Sequence, residues 1–313
     1  MKKKILICGA TGFIGKNFLE KFSQNNKYKV FATYHKKKPF FCKNVKWFKA
    51  DLRVYNDCQI VTKNIEIILQ LAATTSGSNI ILKEPYIHVT DNAVMNSYIL
   101  KAAFHNKIKH FIFTSCTIMY PNSKKKNTEK MVDESKIYKS YFGAAATKLY
   151  IEKICLFFSK ISKTKFSIIR HSNIYGPNDK FDIDTGHFIG SSFKKILSKD
   201  IKNINIFGSG REKRDYLYID DLIYFVEKLI KKQTKNFEIF NCSFGKSFSI
   251  LNVLKKIIKI TNSNKTIKHL KGPNLGIDIL VSNQKAKKLL KWKPTISLEK
   301  GLRKTFNWYL KNK

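Results

Sequence analysis

One stretch near the start of the chain decides the fold: Lys4-Ile5-Leu6-Ile7-Cys8-Gly9-Ala10-Thr11-Gly12-Phe13-Ile14-Gly15. It indicates a buried apolar strand, a glycine-rich turn and the first turn of an amphipathic helix. Gly9 permits the tight turn, Gly12 lets the backbone approach a pyrophosphate, and Gly15 lets the helix pack closely on the strand. The free N–H groups at the helix N-terminus favour a phosphate, so the stretch predicts dinucleotide binding.

The same alternation of strand and helix continues along the first half of the chain. Strands are predicted at 28–33, 45–48, 65–69, 111–113 and 166–169, and helices at 13–24, 92–105 and 142–160. Such alternation favours an α/β fold with a Rossmann-type, doubly wound parallel sheet and helices on both faces. The ligand is then expected at the carboxyl ends of the strands.

After Arg170 the pattern changes. The sequence predicts a turn-rich loop at 171–179, a helix at 187–198, strands at 205–207 and 216–219, and further helices from Asp220 and near Leu251, Gln284 and Leu298. We therefore expect a dinucleotide-binding domain over 1–170 and a smaller C-terminal α/β substrate-binding lobe over 171–313. Segments near 204–245 are expected to return to the first domain.

The composition is strongly basic, with 60 Lys and Arg against 22 Asp and Glu and a net charge of +38. The lysines are spread through every segment without an arginine-rich arm, so we expect a solvated surface rather than a nucleic-acid ligand. Such a field attracts an anionic substrate. The six cysteines lie far apart, which predicts neither a metal site nor disulfides and favours a reducing cytoplasm. No stretch is long enough to span a membrane.

Several short motifs accompany the glycine stretch. They are Leu71-Ala72-Ala73, Phe113-Thr114-Ser115-Cys116, Lys148-Leu149-Tyr150-Ile151-Glu152, Asn173-Ile174-Tyr175-Gly176-Pro177, Arg214-Asp215-Tyr216, Tyr218-Ile219-Asp220-Asp221 and Trp292-Lys293-Pro294. Together they resemble the extended short-chain dehydrogenase/reductase family, in its nucleotide-sugar epimerase and dehydratase branch. Met119-Tyr120-Pro121 and the segment 178–187 are similar to GDP-sugar enzymes such as GDP-fucose synthases, and more closely to GDP-heptose 4-dehydrogenases of bacterial capsule synthesis.

The resemblance implies a catalytic Ser or Thr and a Tyr-x-x-x-Lys pair, in which the tyrosine phenolate accepts the sugar hydroxyl proton as hydride leaves. Lys148 matches the lysine, and Cys116, with Thr117 beside it, stands at the serine position. The tyrosine position holds Ala144. A branch that dispenses with the tyrosine, an introduced Tyr-to-Ala change and an inactive enzyme all remain open, and the resemblance to the heptose enzymes favours the first.

Two side chains are candidates for the missing acid/base group. Tyr141 lies two helical turns before Lys148, about 10 Å away if the helix extends that far. This is too far for direct replacement unless the chain bends, so a partly buried aromatic at the helix start is the favoured explanation. His187 matches the acid/base histidine of GDP-fucose synthases, or contacts the sugar or phosphate instead. The partner cysteine of that histidine falls on Ile118. Its loss disfavours epimerisation and favours simple oxidation or reduction.

The resemblance also implies the binding residues. We expect the cofactor at Gly9, Thr11, Gly12, Phe13, Ile14, Gly15, Asp51, Leu52, Leu71, Ala72, Ala73 and Lys148. We expect the substrate at Asn173, His187, Lys195, Arg211 and Arg214, with the cations on the diphosphate. The segment 33–38 contains no acid to bind the NAD ribose and is rich in lysine. The residues themselves therefore favour NADP, whereas the resemblance favours NAD. We predict NAD.

The resemblance thus implies NAD-dependent oxidation of a GDP-heptose at C4, giving a 4-keto sugar nucleotide for capsular polysaccharide synthesis. A GDP-sugar 4-reductase or epimerase of the GDP-fucose synthase type, and an inactive NAD(P)-binding regulator, are the alternatives. The helices at 92–105 and 142–160 carry apolar faces that the family uses for a two-fold contact, so a homodimer or homotetramer is expected.

Overall fold

The computed structural model describes residues 1–75, 84–123, 125–271 and 278–312. The strands of these ranges are β1 (Lys3–Cys8), β2 (Tyr28–Tyr34), β3 (Val45–Lys49), β4 (Ile67–Gln70), β5 (His110–Cys116), β6 (Lys165–His171), β7 (Asn173–Tyr175), β8 (Asn203–Phe207), β9 (Lys213–Tyr218), β10 (Phe237–Cys242), β11 (Ser247–Ser249) and β12 (Thr266–Leu270). The helices are α1 (Phe13–Ser23), α2 (Tyr55–Thr62), α3 (Thr90–His105), α4 (Phe142–Ile161), α5 (Phe188–Leu197), α6 (Ile219–Lys232), α7 (Ile250–Ile260), α8 (Gln284–Leu290) and α9 (Leu298–Lys311).

Seven strands form the central sheet, in the order β10-β6-β5-β4-β1-β2-β3. Every neighbouring pair in this sheet is parallel. The order reverses between β1 and β4, because the chain first builds outward through β2 and β3 and then crosses back. Sheets of this kind bind ligands at the carboxyl ends of the strands beside the reversal. The predicted Rossmann-type fold is confirmed, and the glycine turn after β1 lies at the expected place.

Two apolar cores cover the two faces of the sheet. In β1, Ile5 and Ile7 enter the core that includes α1 and α6. Leu6 and Cys8 enter the opposite core, with α2, α3 and α4. Burial on both faces explains why β1 is an uninterrupted apolar run rather than an alternating one.

The second half of the chain contributes to three sheets. β10 extends the central sheet beside β6, whereas β8, which we expected near the first domain, pairs with β12. β7, β9 and β11 form a small sheet of their own. The sequence patterns missed β7, β10, β11, β12 and α2. These elements are short, and the strands among them are defined by pairing with distant segments rather than by a local alternation.

A buried aspartate ties the end of the chain to α6. The Asp221 carboxylate accepts hydrogen bonds from the backbone N–H groups of Thr295 and Ile296, at 2.9 and 3.0 Å. The Asp221 backbone carbonyl accepts a hydrogen bond from the indole of Trp292 at 3.1 Å. These bonds satisfy a carboxylate that is 1% exposed and dock the C-terminal segment against the central body.

Candidate functional site

The glycine turn joins β1 to α1 under tight steric limits. Gly9 has a φ of +70°, and a Cβ on it would lie 2.6 Å from Ala72 Cα. A Cβ on Gly15 would lie 2.2 Å from the Gly9 carbonyl oxygen. Gly12 is different, because its Cβ would meet only that oxygen, at 3.3 Å. The fold therefore requires the first and third glycines, while the bare backbone at Gly12 leaves room for a ligand.

The N-terminus of α1 opens onto this turn. Gly12 is its N-cap residue and supplies no side-chain hydrogen bond, and the first helical turn contains no acidic residue. The N–H groups of the first turn are thus available to an anion. Thr11, Phe13 and Ile14 are partly buried around them. These residues fit the pyrophosphate of a dinucleotide, and Leu71-Ala72-Ala73 follows β4 alongside.

An acidic group lies beside the end of β2, although β2 itself has none. Asp51, which follows β3, is held by Arg53 at 2.8 Å and lies 3.5 Å from His35. Hydrogen bonds from Arg53 lower the pKa of Asp51 to about 2. Leu52 is only 5% exposed and belongs to the core between the sheet and the helices α2, α3 and α4. The expected adenine contacts of Asp51 and Leu52 stay predictions.

Lys148 stands at the carboxyl end of β5. Its Nζ donates to the Thr114 carbonyl at 2.8 Å and lies 4.7 Å from the centre of the Phe113 ring. Burial lowers the pKa of Lys148 and raises the pKa of the nearby Cys116 thiol, with each group partly offsetting the shift of the other. One helical turn before this lysine only the methyl group of Ala144 is present, and the catalytic role of Lys148 stays a prediction.

A buried polar network fixes the strands below this lysine. Glu152 accepts hydrogen bonds from Ser115 at 2.6 Å and from Arg170 at 2.5 Å. Arg170 also donates to the Tyr120 hydroxyl, which donates to Asn241. The network joins β5, α4, β6 and β10, and because its groups are buried and mutually bonded it is a rigid support.

The side chain of Tyr141 contacts Arg214, whereas helical spacing placed it on the same face as Lys148. α4 begins at Phe142, and Tyr141 is its N-cap residue. The Tyr141 side chain is hydrogen-bonded to Arg214, while burial raises the pKa of its phenol. It therefore bridges to the residue expected to bind the substrate diphosphate. Its role as a base stays a prediction that this contact does not favour.

His187 pairs with a carboxylate that the sequence did not single out. Its Nδ1 lies 3.3 Å from Asp179 Oδ1, and the Asp179 side chain is 1% exposed whereas that of His187 is 51% exposed. The hydrogen bond with Asp179 raises the pKa of His187 above its ordinary value. The buried Asp179 carboxylate thus orients the half-exposed imidazole of His187 and favours its protonated form.

His171 is a second histidine of the site that sequence reasoning missed. It is the last residue of β6 and the register partner of Cys116. Lys148 and His187 are both close enough to affect its titration electrostatically. The signal that could have revealed His171 was its position at the end of a strand, next to a residue that belongs to one of the motifs. No periodicity or motif spacing marks it.

The remaining expected substrate residues are distributed around the second lobe. Asn173 is exposed and donates from Nδ2 to the Asp215 carbonyl at 2.9 Å, and among the described residues none donates to its side-chain Oδ1. Arg214 reaches Tyr141. Lys195 lies near the C-terminal end of α5, and Arg211 lies in an exposed turn before β9. Through Tyr141, Arg214 is thus connected to the N-terminus of α4, the helix that carries Lys148.

Metal-ligating groups do not gather in the described ranges, where no cluster of three or more His, Cys, Asp or Glu side chains is suited to an ion. All six cysteines are free thiols. Across the same part of the chain, none of the helices combines the length and the apolar character needed to cross a bilayer.

Comparison with known proteins identifies the class to which this fold and site belong. The model of the NAD dependent epimerase/dehydratase family matches residues 5–243, and the chain belongs to this family. NAD, predicted above, is confirmed as the cofactor of the class. The resemblance to extended short-chain dehydrogenases is likewise confirmed at the level of nucleotide-sugar enzymes.

Particular relatives agree along nearly the whole chain. GDP-mannose 3,5-epimerase 1 of Oryza sativa subsp. indica is 26% identical over 315 residues, covering 98% of this chain and 82% of the relative. GDP-L-colitose synthase of Yersinia pseudotuberculosis is 25% identical over 317 residues, covering 99% of each. UDP-glucose 4-epimerase of Thermotoga maritima superposes with a TM-score of 0.88 at 24% identity, with 99% of each chain covered. UDP-glucuronic acid 4-epimerase of Bacillus cereus, solved with UDP-glucuronic acid and NAD, superposes with a TM-score of 0.84 at 25% identity, covering 99% of this chain and 100% of that one.

Proposed function

We propose that this protein catalyses the NAD-dependent oxidation of a GDP-heptose at C4, producing a 4-keto sugar nucleotide for capsular polysaccharide synthesis in the cytoplasm. One observation carries the proposal. Lys148 keeps the position of the family lysine, while the tyrosine and the second acid/base group are replaced by Ala144 and Ile118. Hydride removal is retained by such a site, whereas proton delivery to both faces of the sugar is not.

The chemistry divides between the cofactor and the chain. NAD, when bound, takes the hydride from C4. The glycine turn is proposed to hold its pyrophosphate, and Lys148 is proposed to contact the nicotinamide ribose and the sugar hydroxyl. Ile118 packs with Met119 and Leu149 and presents no proton donor. This absence is the reason for preferring oxidation to epimerisation.

Guanosine diphosphate is the proposed carrier of the sugar. Two of the relatives are named for GDP-sugars, GDP-mannose 3,5-epimerase and GDP-L-colitose synthase. Arg214 reaches the site through Tyr141, and Lys195 and Arg211 are proposed as further partners of the diphosphate. The basic surface would add long-range attraction for this dianion.

We propose that His187 binds the substrate by donating a hydrogen bond rather than abstracting its proton. Because Asp179 raises its pKa, a larger share of His187 is cationic near neutral pH than for a free histidine. A cation donates hydrogen bonds to sugar or phosphate oxygen but has no lone pair for a proton. For this reason we propose the binding role of the two that the sequence left open.

We also propose a homodimer or homotetramer built on α3 and α4. Four large apolar residues follow one another along one side of α4 and are each about half exposed: Phe142, Tyr150, Phe157 and Ile161. Tyr98 of α3 is exposed next to them, and Ser97 contacts the Tyr150 hydroxyl at 3.3 Å. An apolar stripe of this size on the surface is typical of an interface.

The function is tested by incubating the protein with NAD and a panel of GDP- and UDP-sugars that includes GDP-heptose. Reduced nicotinamide is followed by its near-ultraviolet absorbance, and the sugar nucleotide by mass spectrometry. We expect NADH and a product two hydrogens lighter with GDP-heptose. Interconversion of sugars without net NADH would favour the epimerase alternative. Tight nucleotide binding without any turnover would favour the inactive regulator.

A further inference from the structure

We propose that His171 is the proton acceptor of this site, taking the sugar hydroxyl proton that the tyrosine absent at position 144 accepts in the family. The proposal rests on the proposed oxidation. It assigns a catalytic role to a residue that neither the motifs nor the comparisons mark.

The first support is the place of His171 in the sheet. It ends β6, with Cys116 of β5 as its register partner on one side and Cys242 of β10 on the other. Register partners in a parallel sheet project their side chains to the same face. His171 therefore neighbours Cys116, which stands at the serine position beside the reacting hydroxyl.

The second support is the state of its two ring nitrogens. Nδ1 lies 2.8 Å from the Ser172 carbonyl oxygen. A carbonyl accepts only, so Nδ1 carries the hydrogen and Nε2 carries the lone pair. None of the described residues hydrogen-bonds Nε2. This arrangement, a fixed tautomer with an unoccupied acceptor, is what a general base requires.

The third support is the charge around the ring. Lys148 of α4 and His187 at the start of α5 oppose protonation, and the thiols of Cys116 and Cys242 adjoin it from the flanking strands. No carboxylate contributes to its titration. Burial, the largest influence, lowers the pKa of His171 to about 4. The ring is therefore neutral, and able to accept a proton, throughout the physiological range.

The C4–H bond breaks and its electron pair leaves as hydride to NAD⁺. The C4 hydroxyl O–H bond breaks, its proton goes to His171 Nε2, and its electron pair forms the C=O bond. The resulting imidazolium, disfavoured beside Lys148, then releases the proton to solvent. A weakly basic acceptor predicts slower oxidation than with a phenolate.

The test compares His171→Asn with His269→Asn. His269 makes the same kind of bond, from Nδ1 to the Gly208 carbonyl at 2.9 Å, but is exposed on β12. We expect His171→Asn to lose about 10²–10⁴-fold in kcat while keeping its thermal unfolding and NADH binding. His269→Asn should keep full activity. Full turnover in folded His171→Asn overturns the proposal.

A pH profile separates the two histidines, because their pKa values shift in opposite directions. If His171 is the base, kcat falls only well below the ordinary histidine value of 6.5. If His187 is the base, kcat falls on acidification already at a pH above that value, because the pKa of His187 is raised. Histidine NMR of the protein without substrate gives an independent reading, and a protonated His171 at neutral pH would refute the assignment whatever the activity.

The histidine NMR measurement uses the natural chain and therefore covers the case in which His171→Asn fails to fold. A rescue variant adds a separate test of the folded proteins. Ala144→Tyr, which restores the family tyrosine one turn before Lys148, is made in the natural and in the His171→Asn background. We expect the tyrosine to make turnover independent of residue 171. If the wild-type chain oxidises no sugar nucleotide with NAD, the proposed function itself fails. If it does so and residue 171 is without effect, only the present inference fails.

Discussion

At the scale of single residues, the glycines of the first turn serve two different purposes. The fold alone accounts for Gly9 and Gly15, whose missing Cβ atoms would collide with backbone at 2.6 and 2.2 Å. Gly12 is restrained only by one contact at 3.3 Å. Its small size is therefore better explained by a ligand than by packing, and the two explanations predict different consequences of substitution.

Replacing Gly12 with Val should leave the protein folded but sharply weaken NADH binding, because a side chain then occupies the approach to the pyrophosphate. The matched Gly15→Ala change should instead destabilise the fold by about 1–3 kcal/mol through overpacking. Nucleotide fluorescence and thermal unfolding measure the two effects. Undiminished NADH affinity in folded Gly12→Val would show that this turn is not the cofactor site.

Asp179→Asn should weaken GDP-sugar binding by about 10–100-fold near neutral pH, since it removes the anion that keeps His187 cationic. The pKa of His187 is raised by this pairing. Wild-type affinity should accordingly be greatest below that pKa and decline as the pH rises through it. The variant should decline at lower pH. Calorimetric titration across pH measures this difference.

The control for this change is Asp182→Asn. Asp182 organises the same loop by accepting hydrogen bonds from Thr185 and Asp184, but it is not paired with His187. Equal losses in both variants would mean that the loop, rather than the histidine pair, determines affinity.

Sequence reasoning found the residues that recur in motifs and missed those defined by proximity. Lys148 and the glycines follow fixed spacings, so they were predictable. Asp179 meets His187 across a turn-rich loop, and His171 meets Cys116 across two strands. Such contacts depend on register and loop geometry, which no local pattern encodes.

At the scale of elements, six of the seven strands of the central sheet, β1 to β6, were predictable because each is a short apolar run bounded by turns. The failures were short or paired at a distance. β7 has only three residues and lies inside a segment that we expected to be a loop, yet it pairs with β9. Tertiary pairing there outweighs local sequence preference.

The exposed face of α4 leads to a prediction about assembly. Phe157→Glu should convert the expected dimer or tetramer into smaller species, because a charge in an apolar contact carries a desolvation cost. Phe157 is 56% exposed, and Leu310 of α9, at 55%, is an equivalent apolar residue elsewhere. Leu310→Glu should leave the mass unchanged. Light scattering at micromolar concentration measures both, and a monomeric wild type would contradict the interface.

At the scale of the whole molecule, one core connects the cofactor half to the substrate half. The cluster that begins with Ile5 and Ile7 of β1 continues to Leu254 of α7 and Trp292 before α9. The whole chain carries a net charge of +38. A continuous core holds the proposed sugar-binding residues in a fixed relation to the sheet, as hydride transfer between two bound molecules requires.

The central claim, removal of hydride from C4 of a GDP-heptose, is tested most directly by isotope transfer. The protein is mixed with NAD and GDP-heptose carrying deuterium only at C4, and both products are analysed by mass spectrometry. We expect deuterium in the reduced nicotinamide and a GDP-4-keto sugar that has lost it. A substrate that keeps its deuterium while NADH forms, or that returns epimerised with no reduced nicotinamide released, would contradict it.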